Sequence, residues 1–127
     1  MVPRNVKYLI DSCILIDHFN AIKPATEFLR NDGSVCVLSA ISRAEVLVGF
    51  DQAHEKLARE LLDIFTTLPV TADTADLAAQ LRRSHRWKLP DALQAALACE
   101  YKLTLVTRNS KDFRPGGEPE VLVPYQL

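Results

Sequence analysis

Tyr8-Leu9-Ile10-Asp11-Ser12-Cys13-Ile14-Leu15-Ile16-Asp17 is the stretch that decides the fold. Residues 6–10 are an aliphatic, β-branched run that ends abruptly in an acid, a hydroxyl and a thiol. A short continuous apolar run of this kind suits a strand buried on both faces, as at the centre of a parallel sheet. In such sheets ligand chemistry collects beyond the carboxyl ends of the strands, where Asp11 would stand. A carboxylate in that place is costly unless a donor or a cation meets it, and no lysine or arginine adjoins it in sequence.

Working outward, 127 residues make one ordinary domain, and no linker, repeat or low-complexity segment divides residues 1–127. Hydrophobic residues at 48% and charged residues at 24% are globular values, which excludes disorder as the default. No apolar run is long enough to span a bilayer and the start lacks a signal-peptide segment, so the expectation is a soluble, cytoplasmic protein with no membrane partner. Cys13, Cys36 and Cys99 are odd in number and widely spaced, which fits neither a disulfide framework nor a zinc knuckle. His18, His54 and His85 form no metal-binding pattern. A net charge of −1 means that any nucleic-acid partner must be met by a local patch.

After the first strand, a helical segment runs through 14–19 and a second helix covers 23–31, with Pro24 tolerated in its first turn. A strand over 34–38 leads to a helix over 40–50 capped by Ser39. A further helix spans 52–65 and an extended piece 67–70. Thr71 or Thr74 then caps a helix holding Leu77, Ala78 and Leu81, which runs into the basic, aromatic segment 82–88. Leu89-Pro90-Asp91 opens a helix over 92–101, apolar nearly all round and so buried. A strand over 103–107, a polar loop over 108–112, a turn at 115–117 and a last strand over 121–123 complete the chain. Strands alternating with helices predict an α/β domain with a small parallel sheet and helices on both faces.

Acids recur at one kind of place. Asp11 follows the first strand, Glu45 flanks the apolar stripe of the helix after the second, and Asp91 lies in a first helical turn. Asn109 and Asp112 occupy the loop after 103–107. Singly, each has a bland explanation: Asp91 suits the helix dipole, Glu45 a solvated helix face, and Asp112 a turn. Only Asp11, closing a buried strand, resists one. Together, carboxylates converging on one sheet edge repel one another unless a cation lies between them. Oxygen donors without clustered His or Cys point to Mg²⁺ or Mn²⁺, an ion that can activate water against a phosphodiester.

On these residues the chain resembles the PIN-domain family, specifically the VapC-type ribonuclease toxins of type II toxin–antitoxin systems. The pieces that carry the resemblance are Leu9-Ile10-Asp11-Ser12-Cys13, residues 39–49 around Glu45, Leu89-Pro90-Asp91-Ala92-Leu93-Gln94-Ala95-Ala96, and Leu105 to Phe113. They occur in the family's order from about residue 6 to the C-terminus. The resemblance implies a Mg²⁺-dependent endoribonuclease, with Mn²⁺ as the other usable ion. Asp11, Glu45 and Asp91 map onto the family's metal-site acids, with Asp11 and Asp91 as principal ligands. At the fourth position many relatives carry Asp where this chain has Asn109, and Asp112 is the other candidate there. Ser12 and Thr107 become hydroxyls that orient carboxylates or water. The implied partners are RNA, a small antitoxin protein and a second copy of the chain as a homodimer.

Arg43, Arg82, Arg83, Arg86, Lys88, Arg108, Lys111 and Arg114 are candidates for phosphate contacts. Arg108 and Lys111 flank the polar loop and Arg43 neighbours Glu45, which favours these three for RNA binding. Trp87 offers a base a stacking surface, yet a packed core residue explains it better. Cys13 reads as a buried, inert thiol. Two rivals remain at this stage: a PIN-fold RNA-binding module with weak or no catalysis, and an α/β phosphoryl-transfer protein using Asp11. The second lacks the neighbouring acid that such proteins place two residues on, where this chain has Cys13.

Overall fold

A computed structural model describes residues 5–113 and 117–127. Its elements run β1 (Tyr8–Ile10), α1 (Ser12–Phe19), α2 (Lys23–Asp32), β2 (Cys36–Ser39), α3 (Ala40–Val48), α4 (Glu55–Leu62), β3 (Thr67–Leu68), α5 (Ala72–His85), α6 (Leu89–Tyr101), β4 (Thr104–Val106) and β5 (Val121–Leu122). The five strands form one sheet in the order β3-β2-β1-β4-β5, and every pairing is parallel. Among the described residues no helix is long and apolar enough to cross a membrane.

Alternation along the strands builds two cores. Leu9, Val37 and Leu105 face α5 and α6, where they pack with Ala92, Ala95, Ala96, Leu97 and Trp87. Ile10, Leu38 and Val106 face the other way and pack with Ile14, Leu15, Phe28, Val46 and Leu62 of α1 to α4. Successive strand residues point to opposite faces, so a strand buried on both sides must be apolar at every position, as residues 8–10 nearly are. Helices therefore cover both faces, as the alternating pattern predicts.

Several boundaries differ from expectation. Gly33–Val35 form a 3₁₀ turn, so the second strand starts at Cys36 rather than 34. The helix expected over 52–65 is shorter, Glu55–Leu62, and an Asp51 side chain caps the turn before it by accepting from the His54 N–H. Both threonines share the α5 cap: the Thr74 N–H donates to Thr71 and the Thr71 N–H to the Thr74 hydroxyl, a reciprocal capping box. The turn expected at 115–117 lies largely outside the described residues.

The strand order places the site. From β1 the chain steps to β2 and β3 on one side, then crosses back to β4 on the other. The sheet thus reverses direction between β1 and β4, and such a switch point opens a crevice beyond the strands' carboxyl ends. Asp11 follows β1 there and Thr107 follows β4. α6 precedes the parallel strand β4, so its N-terminus, with Asp91, lies at the same edge.

Candidate active site

Asp11 is 8% exposed and is the N-cap of α1. Its Oδ1 accepts from the Ser12 N–H at 2.8 Å and from Gln94 Nε2 at 3.2 Å. Its Oδ2 accepts from the Thr107 hydroxyl at 2.7 Å, with the Cys13 thiol at 3.7 Å. Thr107, fully buried, also accepts from the Asn109 N–H at 3.0 Å, so one hydroxyl joins the acid after β1 to the loop after β4. Every one of these donors is neutral, so the carboxylate is oriented but its charge is not neutralised by the chain.

Gln94 lies within the stretch 89–96 that carries the resemblance, but its sequence context assigns it no role at the site. It is 1% exposed in the middle of α6. Both Nε2 hydrogens are used: one on Asp11, the other on the Ser42 hydroxyl of α3, which in turn donates to the Ile10 carbonyl at 3.3 Å. Among the described residues its Oε1 is the one buried side-chain polar atom with no partner. The signal was present: a lone amide in an apolar helix, three residues after Asp91 and on the same face.

Asp91 sits in the first turn of α6. Burial, then the like charges of Asp11, Asp112 and Glu45, push its carboxyl up to about 6, opposed only by Lys88. Glu45 is also raised, chiefly by burial and further by Asp11, while a hydrogen bond from Ser12 pulls it back. Asp91 therefore feels the charges of the three other acids, and Glu45 that of Asp11, across one edge. Asn109 is tied to Asp112: its Nδ2 donates to the Asp112 carboxylate at 2.9 Å, and the Asp112 N–H donates back to its Oδ1 at 3.3 Å. Phe113, 1% exposed, anchors this loop in the α5–α6 core. Among the described residues no three His, Cys, Asp or Glu side chains are grouped tightly enough to cage an ion.

The basic candidates divide. Arg108 grips Asp17 with two nitrogens, Nε and Nη2, and Tyr125 donates to the same carboxylate at 2.7 Å. Arg43 pairs with Asp63 at 2.9 Å. Both are thus turned toward acids of the chain, whereas Lys111 is exposed with no such pair among the described residues. Arg114 lies outside the described residues. Trp87 is core, 8% exposed, and its Nε1 donates to the Asp112 carbonyl at 3.0 Å. Burial and the Asp11 charge push the Cys13 thiol up to about 11, so it is a neutral neighbour and no nucleophile.

Known proteins resemble this chain in sequence and fold. A profile of the PIN domain matches residues 8–115. Ribonuclease VapC10 of Mycobacterium tuberculosis is 36% identical over 109 residues, 80% of this chain and 81% of that protein. A toxin–antitoxin complex from Klebsiella pneumoniae contains a chain that superposes with a TM-score of 0.85 at 35% identity, covering 95% of this chain and all of that one. The DNA-bound VapBC complex of Salmonella typhimurium shares the fold, with a TM-score of 0.76 at 19% identity over 92% of this chain and 97% of that one. A parallel five-stranded sheet with acids at its switch point, matched along most of its length, makes this chain a member of the PIN-domain family, alongside the VapC proteins.

Proposed function

We propose that this chain is a divalent-metal-dependent endoribonuclease and the toxin of a toxin–antitoxin pair. The observation that carries the proposal is the acid edge itself: Asp91 is raised to about 6 by burial and by three other acids, opposed by Lys88. Such a set needs a cation from outside the chain. The donors fit Mg²⁺ or Mn²⁺, being carboxylates and an amide oxygen with no imidazole or thiolate. Mg²⁺ is commonly held by one or two carboxylates and keeps several waters, so a tight three-acid cage is not required.

Asp11 and Asp91 would be the principal holders, with Glu45, Asp112 and the Asn109 amide completing the edge. When bound, the ion lowers the pKa of water and offsets charge on the leaving oxygen. Glu45, its carboxyl raised, is suited to orient the attacking water and take its proton. Water adds to phosphorus, the bond to O3′ breaks and O3′ gains a proton, leaving 3′-hydroxyl and 5′-phosphate ends. Thr107, Ser12 and Gln94 hold the acids in place, and exposed Lys111 is placed to meet a phosphate. We propose a small antitoxin and a second copy of the chain as partners; the antitoxin is supported by the Klebsiella pneumoniae relative, which comes from a toxin–antitoxin complex.

The test is cleavage of labelled single-stranded RNA and of tRNA by the purified chain, in Mg²⁺ or Mn²⁺ against EDTA, with Asp11→Asn and Asp91→Asn beside the wild type. Metal-dependent cutting lost in both variants supports the assignment. Cutting that survives both, or that ignores EDTA, sinks it.

A further inference from the structure

Arg43 pairs with Asp63 and Arg108 with Asp17, and besides Lys111 a second group of cations is unpaired among the described residues. The turn of the α5–α6 hairpin carries Arg82, Arg83, Arg86 and Lys88. Arg82, Arg83 and Arg86 line a surface groove of about 530 Å³ with Ala79, Trp87 and Leu89. All four cations are exposed, and among the described residues none pairs with an acid within salt-bridge distance. Arg82 is braced, donating from Nε to the Trp87 carbonyl at 3.1 Å. Arg86 ends α5 in the left-handed region, φ 58°, a position that favours glycine, yet here it holds a cation.

The groove leads to the acids. Trp87, which lines the groove, donates to the Asp112 carbonyl at 3.0 Å, and Lys88 is the N-cap of α6, about one turn before Asp91, so the cation row ends where the acid edge begins. Beside it, the exposed His85 ring stacks on Trp87 with centroids 4.1 Å apart and planes 9° from parallel. The imidazole extends the indole outward and offers a flat face of the sort on which unpaired bases stack.

We infer that the α5–α6 groove is the track of a single-stranded RNA: Arg83 and Arg86 hold its phosphates, Lys88 hands the backbone to the acid edge, and His85 stacks a base. The inference rests on the nuclease assignment for its ligand but not for its test. An acidic protein segment would also meet arginines, but it has no use for the His85 face or for a row that ends at four acids.

The test is fluorescence polarisation in EDTA, where nothing is cut, with a labelled single-stranded RNA of about a dozen nucleotides. Wild type, Arg83→Ala/Arg86→Ala, His85→Ala and Arg59→Ala, a control on α4, are titrated at several salt concentrations. Losing two phosphate contacts should weaken binding about tenfold near physiological salt and flatten the log–log salt slope by about 1.4. His85→Ala should weaken binding roughly fivefold and leave that slope alone. The Arg59 control should match wild type, and a duplex of the same sequence should bind less well. An unchanged affinity and slope in the double variant overturns the groove, as does a polyglutamate peptide that competes as well as RNA. Arginine-dependent RNA binding in a chain that cuts nothing would keep the groove and remove the nuclease assignment. Metal-dependent cutting with a wild-type binding curve in the double variant would do the reverse.

Discussion

Asp17 on α1 is buried and Asp91 on α6 is half-buried, and they respond in opposite ways. Around Asp17 the chain supplies a guanidinium on two oxygens and a phenol on one of them, which holds its carboxyl below the usual carboxylate range. Around Asp91 it supplies more acids, and the carboxyl rises to about 6. The first is a closed structural unit: it fastens Tyr125, near the C-terminus, and the start of the loop after β4 to the first helix. The second is left open electrostatically. Where a fold neutralises a buried acid itself, the acid serves the fold; where it gathers acids without a counter-charge, the complement must come from solution.

The contrast can be broken first at the open side. Asp11→Asn or Asp91→Asn should lower cleavage by more than the roughly 100-fold that loss of a supporting hydrogen bond costs at metal sites, read as initial rates in Mg²⁺. At the closed side, Arg108→Ala leaves a carboxylate with 7% of its side chain exposed and no cation. We expect a loss of about 3 kcal/mol in urea unfolding. The salt slope of RNA binding should not change; a slope flatter by about 0.7 would make Arg108 a phosphate contact instead.

Gln94 joins both themes, as a neutral residue that positions an acid. Gln94→Met should weaken Mn²⁺ binding, followed by calorimetry, about tenfold. Its cost in stability should be under about 1 kcal/mol, because the two lost hydrogen bonds are offset by removing the unpaired Oε1.

The smallest effect is the pH dependence of Asp91 without metal. Its folded carboxyl keeps a proton between the ordinary aspartate value of 3.8 and about 6 that the unfolded chain has released. Folding stability therefore falls as pH rises through that window, and the penalty is complete above it. Asp91→Asn should stabilise the chain in EDTA at pH 8 by about 1 kcal/mol, discounted for partial exposure, and by nothing near pH 3. Asp17 runs the other way: its contribution is complete above pH 3.8 and is lost as pH falls through its lowered value. A Tm series against pH that shows one sign for both would merge the two regions again.

Local pattern made much of this legible. The apolar runs at 6–10 and 103–107 locate the two central strands, and an acid ending the first locates the edge where the acids meet. Ser39, Thr71 and Thr74 announced their caps because capping acts within three residues. What stayed hidden is pairing at a distance. Arg108 reads as a candidate phosphate contact in the sequence, and only the fold reveals its pairing with Asp17, 91 residues away. Arg43 likewise finds Asp63 only because α3 and α4 share a face of the sheet. Cations in a sequence are all alike; their commitments are made by tertiary structure. The short strands β3 and β5, two residues each, also gave only faint signals.

The chain has a single tryptophan. Its indole touches three parts of the molecule at once: the imidazole of His85, the ring of Phe113 and the carbonyl of Asp112. The protein thus carries one built-in optical reporter, wired between the arginine hairpin and the loop that bears Asn109 and Asp112. An ion that draws in Asp112 and a nucleobase that settles on His85 would each alter the emission of that one ring. Titrating each alone and then both together would show, without any label, whether the two ends of the site respond to each other.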